Sequence, residues 1–209
     1  MPDTRPPALG PAGGERLGPD EYDSDFDRYE DEVRDRDSWK LEREQFFDED
    51  DDPSFRAFRR GEWANALRLL AAESPALRES AASDHARGSV FRRVRIVEEP
   101  LTPYVQWELH ALRVQAENGL PVRVVTADAV GHLEREGPLP ELVTLGGLVL
   151  YRVMYTAAGV PDGAIRYTDV DRIRQWERFI AALYERGEDV TSYVERHVAH
   201  LPAPAAPAP

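Results

Sequence analysis

One stretch of this chain leaves little freedom in its fold. Phe91-Arg92-Arg93-Val94-Arg95-Ile96-Val97 is rich in β-branched residues and reads as a strand. Pro100 stops it, and Thr102 can cap a helix that has Pro103 at its first position. Val105, Leu109, Leu112 and Ala116 then recur on one helical face, until Asn118-Gly119 closes the helix and Val122-Arg123-Val124-Val125 follows as the next strand. Strand, amphipathic helix and strand with short returns make a βαβ unit, whose strands run parallel with a right-handed crossover. An α/β fold follows.

The rest of the chain is read around that unit. Leu142–Leu145 and Leu148–Tyr155 are apolar runs flanking Gly146-Gly147, a strong hairpin signal because both turn residues take positive φ. A further turn at Gly159–Gly163 leads to Ile165-Arg166-Tyr167, so three antiparallel strands continue the sheet as a hairpin and meander. Phe55, Phe58, Trp63, Ala66, Leu67 and Leu70 carry helical spacing before the first strand, and a helix led by Pro75 runs to about Arg87. Ile173, Trp176, Ile180 and Leu183 mark a long helix after the last strand, and Val190, Tyr193, Val194 and Val198 a shorter one. The expectation is one mixed sheet of about five strands, packed with N- and C-terminal helices, over residues 38–200. Trp39, Leu41, Phe46 and Phe47 are too apolar for a free tail, so their segment is expected to pack on the domain as an edge strand or short helix. Trp63, Trp107 and Trp176 read as core anchors.

Charge separates the ends from this domain. Residues 20–52 hold seventeen acids against five bases, a balance of −12 in a chain whose net charge is −13. Residues 1–37 therefore read as a Pro/Gly-rich, acidic, disordered arm, and residues 201–209 as a disordered Ala/Pro tail. An acidic arm repels nucleic acid backbones and anionic membranes, so neither is an expected partner. Tyr22, Phe26 and Tyr29 are spaced along the arm, which reads first as a solvated tail and alternatively as a segment that docks on a partner through them. No cysteine is present, which excludes disulfides and thiolate chemistry. The amino terminus lacks a basic segment followed by an apolar one, and a cytoplasmic location is expected.

Catalytic and metal-binding patterns are missing. The five histidines, at 85, 110, 132, 197 and 200, form no HExxH, and no G-x-S-x-G or phosphate loop occurs, so no catalytic residue, metal or cofactor is assigned. Asp23–Asp27 opens like a calcium loop, but Arg28 stands where Gly is required and Arg34 where a bidentate Glu is required. Arginine is unusually placed: Arg93, Arg95, Arg123, Arg152 and Arg166 each interrupt an apolar strand. If the registers agree, they form a basic stripe on one sheet face. That stripe has three readings: a solvated or internally paired face (with Glu98, Glu99 and Glu108), a clasp for the chain's own acidic arm, or an anionic-ligand site at the strand ends with Glu99, Tyr104 and Trp107. The leading functional expectation is a non-enzymatic binding or regulatory module acting through protein contacts. The alternative is a phosphate- or nucleotide-type ligand sensor or enzyme using the arginine face.

The run from Arg93 to Leu109, with its Glu98-Glu99-Pro100-Leu101-Thr102 core, resembles an uncharacterised actinobacterial family, domain of unknown function 6879. Members commonly show R-V-R-V-V-x-E-P-L-S-x-Y-L-x-x-E-L, from which Ile96 and Thr102 depart mildly. Pro121–Val125, Leu139–Tyr155 and Ile165–Asp169 look like the family's later strands, so the resemblance spans about residues 38–200. It implies no activity; the frequent encoding of members beside helix-turn-helix regulators suggests a regulatory role by association. The strand–helix–strand with its hairpin also looks loosely like half of a phospholipase-D-type domain. This chain lacks the H-x-K-x-x-x-x-D signature, and the corresponding hydrolysis is not expected.

Overall fold

The first and last strands of the chain lie at the two edges of one sheet. In the computed structural model, which describes residues 5–10 and 13–205, the elements are β1 (Glu15–Leu17), α1 (Pro19–Glu32), β2 (Ser38–Glu42), α2 (Pro53–Arg59), α3 (Trp63–Ala72), α4 (Ser74–Ala86), β3 (Phe91–Val97), α5 (Pro103–Glu117), β4 (Val122–Thr126), α6 (Ala127–Val130), β5 (Leu142–Leu145), β6 (Val149–Tyr155), β7 (Pro161–Tyr167), α7 (Val170–Arg186), β8 (Glu188–Asp189) and α8 (Val190–His197). Those strands form one sheet in the order β1-β7-β6-β5-β2-β3-β4-β8. The βαβ unit is present: β3 and β4 pair in parallel, and α5 starts where Thr102 Oγ1 accepts from the Val105 N–H. The hairpin is present too, with Gly146 and Gly147 at φ 52° and 69°.

The sheet has eight strands rather than about five. The additional ones are β1 and β8, of three and two residues, which leave little periodicity to read, and β2, whose segment reads from its sequence as an edge strand or short helix. Trp39–Glu42 belongs to a central strand, not an edge: β2 lies parallel to β3 and antiparallel to β5. Its alternation of apolar and charged residues imitates a half-solvated edge. Lys40 and Glu42 are instead turned onto a covered face, where register sets them beside Arg93 and Arg95.

The acidic arm is the larger departure. β1 pairs antiparallel with β7, and α1 lays Tyr22, Phe26 and Tyr29 against a core of Val143, Val149, Tyr151 and Ala164. Disorder is therefore not found at residues 15–32. Tyr22, Phe26, Tyr29 and Val33 recur at helical spacing, and burying that stripe outweighs the self-repulsion of the carboxylates on the remaining surface. The rest of the expected disordered ends, residues 1–4, 11–12 and 206–209, lies outside the described residues.

Helices cover both faces. α2, α3, α5 and α8 pack on one face around Phe55, Phe58, Trp107 and Leu109, and α1 continues that layer over β5–β7. On the other face α7 buries Ile173, Trp176 and Ile180 against Leu41, Val94, Ile96 and Leu150. Trp107 and Trp176 are core anchors, 2% and 1% exposed. Among the described residues no helix is long and apolar enough to cross a membrane.

Candidate functional site

The five strand arginines do not share a face. Val94 and Ile96 on β3, and Leu150 on β6, point into the α7 core, so by two-residue alternation Arg93 and Arg95 point toward α5 and Arg152 points toward α7. Val122 and Val124 occupy the α5 core, which sends Arg123 to the α7 side. Arg166 lies opposite Ile165 and Tyr167 and faces α1. The single basic stripe is thus split three against two. The cause is register: a one-residue offset between strands reverses every side chain, and spacing within each strand does not reveal it.

Arg93 and Arg95 enter a buried ion cluster at the carboxyl ends of the parallel strands. Arg95 is fully buried, donating from Nε to Glu108 Oε2 at 2.8 Å and from Nη1 to the Ile96 carbonyl at 3.0 Å. Glu42 lies 2.7 Å from Lys40 Nζ and 3.4 Å from Arg93 Nη1. Glu141 accepts from the backbone N–H groups of Arg43 and Glu44. These environments separate the three carboxyls. Burial pushes Glu42 up, but the charges of Arg93, Lys40 and Arg95 outweigh it and hold the group below the usual carboxylate range. Burial also raises Glu108, and contact with Arg95 offsets only part of that rise. Burial and the Glu42 charge lift Glu141 to about 7. Glu141 Oε2 has no hydrogen-bond partner among the described residues, whereas Arg95 Nη2 lies 2.7 Å from Glu108 Oε2. Segment 43–52 plugs the strand ends above them, with the Phe47 ring 5.7 Å from the Arg95 guanidinium carbon.

Apart from Arg152, the other predicted site residues are engaged within the chain. Glu99 accepts from Tyr193 Oη at 2.9 Å, Tyr104 Oη donates to Glu49 at 3.2 Å, and Trp107 Nε1 donates to Ser54 Oγ at 2.9 Å. Arg123 donates to the Gly187 carbonyl at 3.0 Å and sits over Tyr184. Of the expected internal pairs, Arg95–Glu108 forms, whereas Glu98 pairs with Arg43. Among the described residues no group of His, Asp and Glu is placed to hold a metal ion.

Among the described residues, Arg166 is the one of the five strand arginines that clasps residues 15–32. It bonds Asp25 at 2.8 Å and also Glu15, while Tyr151 Oη donates to the same Asp25 at 2.8 Å. Burial pushes the Asp25 carboxyl up, but bonds from Arg28 and Tyr151 and the Arg166 charge leave it below its ordinary range. The helix is therefore held by an apolar stripe and by one inward carboxylate. Asp20, Glu21, Asp23, Asp27, Asp31 and Glu32 remain exposed along its outer side, with Arg28 as the one base of α1. Sequence reading missed Asp25, Tyr151, Glu42 and Glu141. The 22, 26, 29, 33 spacing was the signal that could have placed Asp25; the others depend on strand register.

An eight-stranded mixed sheet with helices on both faces, an acidic helix fixed at one end and a plugged ion cluster at the strand ends defines the class: an α/β domain with its amino-terminal segment folded in. The chain belongs to the family described as a domain of unknown function (DUF6879), whose model matches residues 24–195. The match begins within α1, so Asp25 and the aromatic stripe from Phe26 onward fall inside the family's unit. No curated protein and no solved structure matches the chain.

Proposed function

We propose that this protein is a non-enzymatic binding or regulatory module that contacts a positively charged protein partner through the outer face of α1. One observation carries the reading: α1 holds eight carboxylates in 14 residues, yet it is fixed to the sheet by its aromatic stripe and Asp25. A carboxylate row on an anchored helix presents its charge in a constant geometry. Such a row steers encounter with a basic surface and fixes its register, with a strong dependence on salt. A loose tail of the same composition would lose more entropy on binding.

The test leaves the aromatic stripe and Asp25 intact. Asp20, Glu21, Asp23 and Asp27 are changed together to Asn or Gln, and partners captured from a native lysate are compared with those of the unaltered chain. The reading expects a discrete partner that is captured by the unaltered chain at low salt, released at high salt, and lost with the neutralised face. The same partners at the same yield from both forms would overturn it.

A further inference from the structure

The α7 face of the sheet holds a cavity that the α1 surface does not involve. Its volume is about 660 Å³, and it lies between the loop 132–140, Arg152 of β6, Trp176 of α7 and residues 5–9. This size is within the range of small-molecule sites, roughly 300–1,000 Å³. The cavity's chemistry is divided. Leu133, Leu139, Trp176 and flanking prolines supply an apolar wall, while Arg5, Arg135 and Arg152 supply guanidinium groups against one acid, Glu136, with His132 beside them.

Two features distinguish this cavity from the plugged strand ends. Among the described residues, no hydrogen bond or ion pair occupies the side chains of Arg135, Arg152 or His132. Arg152 is nonetheless half-buried on a strand, a place where a guanidinium ordinarily has a partner. An unpartnered, partly desolvated guanidinium is what an oxygen-rich ligand would relieve.

We infer that this cavity binds a small aromatic phosphomonoester, the aromatic body against the apolar wall and the phosphate on Arg152 and Arg135. Several full positive charges against one acid suit a dianion better than a singly charged carboxylate. Guanidinium forks match phosphate oxygens in pairs. The site lies on the sheet face opposite α1, so it stands or fails independently of the protein-binding reading.

The probes are the four common nucleoside monophosphates, each compared with its nucleoside and with inorganic phosphate, on the full chain by thermal shift and titration calorimetry. At least one monophosphate should raise the melting temperature in a concentration-dependent way, while its nucleoside and inorganic phosphate bind at least tenfold more weakly. Arg152→Gln should weaken that binding tenfold or more. Arg135→Gln, on an exposed loop where folding is not at stake, should weaken it severalfold. No binding by any of the four at millimolar concentration overturns the assignment. So does equal binding by nucleoside or phosphate alone, or undiminished binding by both variants.

Discussion

Replacing Glu141 by Gln tests the buried ion cluster through its pH dependence. Glu141 is 7% exposed and its carboxyl titrates near 7 in the folded chain, against 4.5 ordinarily, because burial and the Glu42 charge disfavour ionisation. The folded state therefore keeps a proton that the unfolded chain releases, and stability falls as pH rises between those values. With the two values of 4.5 and about 7, the interval is about 2.5 pH units; at about 1.4 kcal/mol per unit the loss reaches about 3 kcal/mol above pH 7. Gln keeps the oxygen that accepts from the Arg43 and Glu44 N–H groups and imitates the protonated acid. The variant should match the unaltered chain near pH 4.5 and exceed it at pH 8. For a domain of this size, about 3 kcal/mol corresponds to a melting temperature about 6–12 °C higher. Chemical denaturation and calorimetry across pH 4.5–8 measure the difference directly. Parallel pH profiles for the two proteins would refute the reasoning, because they would mean that Glu141 ionises at no cost in the folded state.

Three further outcomes follow from the same contacts. Glu108→Ala leaves Arg95 buried without its counter-ion and should cost about 3–5 kcal/mol in urea denaturation, whereas Arg95→Met with Glu108→Leu should cost less than that single change. Asp25→Ala removes the acceptor of the buried Tyr151 hydroxyl while Arg166 retains Glu15, and should cost about 1–3 kcal/mol by the same assay. Gly163 sits at φ +76° on β7, and a Cβ there would overlap the Leu17 carbonyl. Gly163→Ala should therefore cost at least about 1 kcal/mol and open Glu15–Leu17 to limited proteolysis.

How much was readable depended on the range of the physics. The βαβ unit was legible because Thr102, Pro103 and Asn118-Gly119 mark helix ends by local backbone chemistry, and β-branched runs flank them. The Gly146-Gly147 hairpin was legible for the same reason. α1 was misread because charge dominates its composition, although its four-residue apolar stripe obeys the helical period. β2 was misread as an edge because only tertiary register puts Arg93 and Arg95 beside Lys40 and Glu42. The candidate site suffered most. Arginine spacing within a strand says which residues share that strand's face, and says nothing of how the next strand is aligned. Arg152 stands out in the sequence as a charge within an apolar strand, but the loop and tryptophan around it come from segments distant in sequence.

Hydrogen exchange at the backbone amides of residues 20–32 tests the central claim most directly, that the acidic segment is an anchored helix of the domain. The account predicts protection beyond the first turn, reduced by Asp25→Ala and unaffected by neutralising the outward-facing Asp23 and Asp27. Exchange at the rate of an unstructured peptide throughout the segment would contradict the fold described for it and, with that, the fixed anionic surface on which the proposed function rests.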